Sequence, residues 1–212
     1  LRDVRFGKVT VSANEHTVFF LLSVITEFKK RHPLVKVEIK RGVASRIPKE
    51  IMAREVELGV ISFKPRDKSV RSHPVTVDEL VLIVSPDHQL AKRKTVSVKD
   101  LGIETFIAHN APSPYREQVI KKFEKHDTTL NIAVEMPSLE AIKKLVELGA
   151  GVALVPKLTA ESEIASGQLV GLSVKEMKFE RKLHIVYRRS GVLSYAARAF
   201  LKMARDIDGK SG

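Results

Sequence analysis

The chain contains no cysteine and no tryptophan, and only 6% of its residues are aromatic. Without cysteine there are no disulfides, thiolate metal ligands or thiol nucleophiles, which fits a reducing compartment. No apolar run in the 212 residues approaches the roughly 20 that a membrane-spanning helix requires. The seven histidines are scattered, and none has a second histidine at metal-ligand spacing. Gly-x-Ser-x-Gly, the phosphate-binding Gly-x-x-x-x-Gly-Lys and the dinucleotide-binding Gly-x-Gly-x-x-Gly are all missing. Acidic neighbours such as Glu55 and Glu57 sit beside a predicted strand start and read as solvated or turn-capping groups. With no nucleophile, base and oxyanion stabiliser assembled, the expectation is no enzyme, no metal and no cofactor. The chain opens on Leu1 instead of methionine, so it is expected to be a fragment of a longer protein.

What is abundant is positive charge, 37 basic against 25 acidic residues for a net +12. The basic residues are dispersed as Lys29-Lys30-Arg31, Lys92-Arg93-Lys94, Lys121-Lys122, Lys143-Lys144 and Arg188-Arg189. Most fall on polar helix faces or in turns, a pattern that keeps a surface solvated and attracts anions at long range. They form no zinc-finger or RNA-binding signature, so direct DNA reading by these residues is not expected.

The most informative stretch runs from Ser138 to Pro156. Ser138 is placed to cap a helix on which Leu139, Ile142, Leu145 and Val146 share one face. Gly149 and Gly151 end that helix, and the apolar run 152–155 suits a parallel strand covered on both faces. The same alternation recurs along the chain. Strands are predicted at 8–12, 35–39 and 58–62, with helices at 18–28 and 45–54 between them. A second set follows, with strand 106–108, helix 114–125 and strand 131–135 before the Ser138 helix. This order implies two α/β subdomains with parallel sheets. Two segments fit neither repeat: the Leu80-Val-Leu-Ile-Val84 strand, and a late strand at 182–188 followed by a helix from Tyr195. If the late elements return to the first subdomain, two crossings connect the halves and the cleft between them is the default ligand site. The boundaries expected are 1–73 plus 171–212 for subdomain I and 74–170 for subdomain II, with 209–212 a frayed end.

Each helix of the two repeats opens just after a strand with a capping signal: Asn14, Ser45, Ser113 followed by Pro114, and Ser138. Pro48 is tolerated in the first turn of the second helix. Helix N-termini at the carboxyl edge of a parallel sheet favour an anionic or acceptor-rich ligand. His16 and Thr17 lie in the first turn and are candidates to add donors, His16 reading equally as a surface residue. Phe63, after the strand ending at Ser62, reads either as an apolar wall or as hinge packing. Helix 18–28 is apolar nearly all round, through Val18, Phe19, Phe20, Leu21 and Leu22, which suggests a covered second face.

These residues resemble the effector-binding domain of LysR-type transcriptional regulators over nearly the whole chain. Glu27-Phe-Lys-Lys-Arg-His-Pro-Leu-Val-Lys-Val-Glu-Ile-Lys-Arg-Gly42 is similar to that family's helix, turn and second strand. Val56-Glu-Leu-Gly-Val-Ile61 resembles its third strand. Ser85-Pro-Asp-His-Gln-Leu-Ala91, Val96-Ser-Val-Lys-Asp-Leu101 and the Ser138 to Pro156 stretch follow in the family's order. The resemblance implies a periplasmic-binding-protein-like (type 2) α/β fold of two Rossmann-like subdomains joined by two crossover segments. It implies a bacterial, cytoplasmic regulator that forms dimers within a tetramer. Promoter DNA would be bound only through a winged helix-turn-helix domain absent from this chain. A small, anionic inducer, most readily a carboxylate, is expected in the cleft, with no membrane partner. The family's inducer contacts map onto Asn14, His16, Ala44, Ser45, Ser62, Phe63, Ser113 and Ser138, and the binding set expected here adds Thr17 and Pro137. Small hydroxyl residues are usual where Asn14 and His16 stand, so no relative's ligand carries over. The alternative is a transport-type periplasmic solute-binding protein on the same fold, and an enzyme on that fold is the third reading.

Overall fold

The structure, a computed structural model, describes residues 7–111 and 113–208. The segment 209–212, read above as a frayed end, lies outside them. In chain order the elements are β1 (Gly7–Ala13), α1 (Val18–Arg31), β2 (Val35–Arg41), α2 (Ile47–Met52), β3 (Leu58–Ile61), β4 (Val70–Asp78) and β5 (Leu80–Val84). There follow β6 (Thr95–Val96), β7 (Phe106–His109), α3 (Pro114–Lys125), β8 (Ile132–Met136), α4 (Leu139–Glu147) and β9 (Ala153–Pro156). The last are α5 (Glu161–Ala165), β10 (Val170–Val174), β11 (Arg181–Arg188) and α6 (Tyr195–Asp208). They divide into two compact units, the first ending at Val77 and resuming at Arg181, the second running from Asp78 to Glu180.

Unit 1 is built on one sheet of order β2-β1-β3-β11-β4. β1 pairs in parallel with β2 and β3, and β11 runs antiparallel to β3 with His184 opposite Ile61. The alternation of a strand sends odd-numbered β1 residues toward α6, where a Cβ on Gly7 would meet Ala196 at 3.6 Å. Val9 and Val11 share that face, and α1 and α6 close over it with Phe28 and Phe200 edge to face at 5.1 Å. α2 covers β3 and β11 on the other face, placing Ile47 and Ile51 among Val56, Ile61, Val70 and Val186. Gly59 permits this approach, since a Cβ there would fall 2.3 Å from Ile47 Cγ2.

Unit 2 repeats the arrangement. β7 pairs in parallel with β8, and on its other side the Ile107 N–H donates to the Val152 carbonyl at 2.9 Å, just ahead of β9. β5 runs antiparallel to β9, and β10 and β6 extend that sheet in the order β6-β10-β5-β9. Each unit therefore has a parallel triplet with its earliest strand in the middle. Each triplet is then flanked by an antiparallel strand from outside the repeat, β11 in unit 1 and β5 in unit 2.

The structure moves several expected limits. The crossings fall at 77/78 and 180/181, not at 73/74 and 170/171. Residues 171–180 stay in unit 2 because β10 pairs with β5 and β6 and buries Leu172 and Val174 there. β4 was not anticipated, as its Arg71, His73 and Pro74 break an apolar pattern; it is an edge strand, where proline is tolerated. The second helix shrinks from 45–54 to Ile47–Met52. On α1, Phe20, Leu21, Val24 and Phe28 are buried while Leu22 is 53% exposed.

Candidate functional site

In unit 1 the carboxyl ends of β2, β1 and β3 lie side by side. The helix after β1 and the helix after β2 rise from opposite faces, so the order reverses beside β1, the position at which open α/β sheets take ligands. Asn14 follows β1 and turns its side chain back on the chain. Its Oδ1 accepts from the His16 N–H at 2.9 Å and the Thr17 N–H at 3.0 Å. Asn14 thus consumes two N–H donors that an anion at this turn would otherwise meet. Thr17 is wholly buried, with its hydroxyl 3.2 Å from the Val60 carbonyl oxygen and 3.1 Å from Asn14 Oδ1. It acts as a tie between β1 and β3. His16 stays partly exposed beside it.

The turn after β2 carries Ala44, half-buried, and Ser45, exposed. Ser45 is not the cap expected of it. Arg46 occupies the cap position without a side-chain bond, and the turn closes through the Val43 carbonyl, which accepts from Arg46 at 2.7 Å and Ile47 at 3.1 Å. Ser62 and Phe63 follow β3, both partly exposed, and Phe63 packs against the Ile47 cluster. The packing role allowed for Phe63 is therefore present, within unit 1.

In unit 2 the caps are formed as the spacing predicts. Ser113 accepts from the Arg116 N–H at 3.1 Å with Pro114 at the first helical position, and Ser138 accepts from the Ala141 N–H at 3.4 Å. Both helices leave adjacent parallel strands, and the Asn110 N–H donates to the Met136 carbonyl at 3.0 Å across their ends. Pro137, exposed, precedes Ser138. Arg116 was not singled out from sequence. Its guanidinium donates to the His109 carbonyl at 2.9 Å and pairs with Glu135 on β8, which puts an ion pair at this edge with guanidinium N–H groups to spare. A basic residue three positions after a serine cap at the end of a parallel strand is the signal by which the sequence could have shown it. Among the described residues no group of three or more His, Asp and Glu is placed to hold a metal ion.

Two α/β units with this strand order, exchanging their flanking strands, define the periplasmic-binding-protein-like type 2 fold. The chain belongs to the LysR substrate binding domain family, whose model matches residues 2–208. It is similar to the RuBisCO operon transcriptional regulator of Allochromatium vinosum, 28% identical over 94% of this chain and 66% of that protein. It is also similar to a probable RuBisCO transcriptional regulator of Cyanophora paradoxa, 30% identical over 94% of this chain and 64% of that protein. The chain spans about two thirds of the length of these relatives. The regulatory domain of CcmR from Synechocystis PCC6803, solved in complex with 2-PG, superposes with a TM-score of 0.83 at 24% identity, covering 97% of this chain and 99% of that one. The effector-binding domain of QuiR in complex with shikimate gives 0.78 at 20% identity, again covering 97% and 99%. The relatives are transcriptional regulators, not transporters or enzymes, and this chain is an effector-binding domain of that type. The solute-binding-protein reading is set aside on that ground.

Proposed function

We propose that the effector is a small anion and that the turns at the carboxyl edges of both units take part in binding it. Unit 1 would contribute Asn14, His16, Ala44, Ser45, Ser62 and Phe63, and unit 2 Ser113, Pro137 and Ser138. Thr17 drops from the contact set, because its side chain is buried and its hydroxyl engaged. The observation that carries the reading is the unit 2 edge, where two capped helix starts and the Arg116 guanidinium gather on neighbouring parallel strands. Helix N-termini favour negative charge by about 0.3–1 kcal/mol each when exposed, and a guanidinium matches carboxylate or phosphate geometry. Shikimate, the ligand of one structural neighbour, is itself a carboxylate. Titration calorimetry against carboxylates, phosphates and neutral metabolites, with 2-PG and shikimate included, tests this. An anion should bind, and Arg116→Ala should weaken it about tenfold, as expected for loss of a charge-assisted hydrogen bond. Tight binding of a cationic or apolar compound, indifferent to Arg116→Ala and Ser138→Ala, would sink the reading.

The wider role proposed is that of a cytoplasmic regulator which binds promoter DNA through a segment outside this chain and works as a dimer within a tetramer. In the dimer, α1 and β2 of one copy would face β8 and α4 of the other. Leu22 on α1 and Leu34 before β2, 53% and 56% exposed, support that assignment. Among the described residues no helix is long and apolar enough to cross a membrane. Light scattering on the wild type and Leu22→Arg tests the interface, with a monomeric wild type as the refuting result.

A further inference from the structure

Ser12, next to last in β1, is wholly buried and points to the face that α2 covers. Its hydroxyl donates to Glu50 Oε2 at 2.6 Å across 38 residues of chain. Gly42, the first residue after β2, lies directly over the same hydroxyl. Its N–H donates to the Ala13 carbonyl at 3.0 Å, and a Cβ there would sit 2.1 Å from Ser12 Oγ and 2.9 Å from Ile47 Cγ1. The turn that leaves Gly42 holds Val43, Ala44, Ser45 and Arg46, with Val43 58% exposed and Ser45 and Arg46 exposed. That turn then enters a helix of 6 residues without a side-chain cap. A helix so short does not hold itself in water, so tertiary contacts decide where it stands.

We infer that Ser12 and Glu50 are positioning residues for effector binding, locking the Val43-to-Arg46 turn in the shape that meets the ligand. The inference rests on the proposed role of Ala44 and Ser45 in that contact. The apolar anchors Ile47 and Ile51 press α2 onto Gly59 and Val186 through contacts that are not directional. The hydroxyl–carboxylate bond is directional and fixes the helix against β1. It ties α2 to the strand that also carries Asn14, so the turn after β1 and the turn after β2 keep a fixed relation. Without the hydroxyl, the carboxylate of Glu50 turns toward water and α2 follows it. The turn then samples several conformations, and the effector must select one of them.

Amide hydrogen exchange on the 212-residue chain without ligand, followed by calorimetric titration with 2-PG as the probe, tests this. Ser12→Ala and Glu50→Ala should each raise exchange of residues 43–53 by about tenfold, the loss of one hydrogen bond to a charged group, with α1 and α6 unchanged. Glu50→Gln keeps a neutral acceptor for the hydroxyl and should recover part of the protection, and the double Ala variant should lose no more than either single one. The affinity for 2-PG should fall about fivefold or more in the Ala variants and recover in part in Glu50→Gln, in line with a bond of that strength. Unchanged exchange in 43–53, exchange raised equally throughout unit 1, or Glu50→Gln no better than Glu50→Ala would overturn the inference. A wild type that binds 2-PG no better than neutral compounds counts against the anionic effector instead, and the ligand-free exchange still decides the role of Ser12 and Glu50.

Discussion

α2 of unit 1 and α4 of unit 2 occupy equivalent places, each joining the outer strand of a parallel triplet to its third strand, yet they are held by opposite means. α2 has 6 residues, no side-chain cap, and a carboxylate, Glu50, as its polar tie to the sheet. α4 has 9 residues, a serine cap, and a lysine. Lys143 is 3% exposed, and its ammonium donates to the Thr159 carbonyl at 2.8 Å and to Glu163 at 2.6 Å, with Glu140 at 2.8 Å. Burial resists the charge on Glu163, but the ammonium and the Ser162 hydroxyl outweigh it and hold its carboxyl below the usual range. The same topology thus leaves the choice of bond open. A helix long enough to be capped and amphipathic needs only one buried ionic anchor, whereas a short one depends on the strand beneath it.

The largest effect expected from breaking this contrast is at Lys143. Lys143→Ala leaves a buried carbonyl and a mostly buried carboxylate without their cation, and should cost about 3 kcal/mol in urea unfolding. Lys144→Ala, on the exposed side of the same helix, should change stability by less than about 0.5 kcal/mol. Equal effects at the two positions would show that the ionic anchor is not what holds α4.

Close approach is the counterpart in unit 1. Gly42→Ala drives a methyl group into Ser12 and Ile47, and Gly59→Ala drives one into Ile47. Each should destabilise by about 2 kcal/mol through overpacking. Gly167→Ala, at φ 77° with nothing within 4 Å of the new methyl, meets only backbone strain of about 1 kcal/mol. Gly42→Ala no worse than Gly167→Ala would show that α2 adjusts freely.

The caps come next. Ser113→Ala and Ser138→Ala should each lose about 1 kcal/mol, and Asn14→Ala at least as much, because its oxygen serves two backbone N–H groups. Ser45→Ala should leave thermal stability unchanged, as Ser45 caps nothing.

The smallest effect is the pH response of unit 1. Burial foremost, with Arg205 and Arg71 nearby, lowers the pKa of His73; burial, with Lys64 and Lys182, lowers that of His184. Both rings bond across β4 and β11, His73 to the Tyr187 hydroxyl at 3.0 Å and His184 to the Ser72 hydroxyl at 2.8 Å. As the pH falls below about 6.5 the unfolded chain takes up protons before the folded one. Their contribution is therefore complete above that pH and is lost as pH falls through the lowered folded values. Urea midpoints should drop between pH 7.5 and 5, and the double variant His73→Gln/His184→Gln should flatten the slope. A slope unchanged in that variant would place the proton uptake elsewhere.

Much of unit 2 is legible in the sequence. Ser113-Pro114 and Ser138 stand in the cap positions that their spacing indicates, and helix 114–125 has the limits expected. Unit 1 is less so. Asn14 closes the turn ahead of α1 by accepting from His16 and Thr17, while the cap position is Thr17 without a side-chain bond, and Ser45 resembles a cap without being one because the turn closes on the Val43 carbonyl. Arg116 and Glu135 are 19 residues apart, and no local pattern pairs them.

What the sequence determined by itself was the alternation of strand and helix, the serine caps of unit 2 and the apolar faces. Each of these depends on neighbours within about four residues, through helical or strand periodicity and the first free N–H groups of a helix. Tertiary structure alone decided that β11 joins β3, that β10 stays with β5, and that the edge strand β4 forms at all. It also decided that Lys143 is buried and that Ser12 meets Glu50. Those outcomes turn on which distant segment supplies the missing hydrogen-bond partner, and a buried polar group takes its partner from wherever packing brings one.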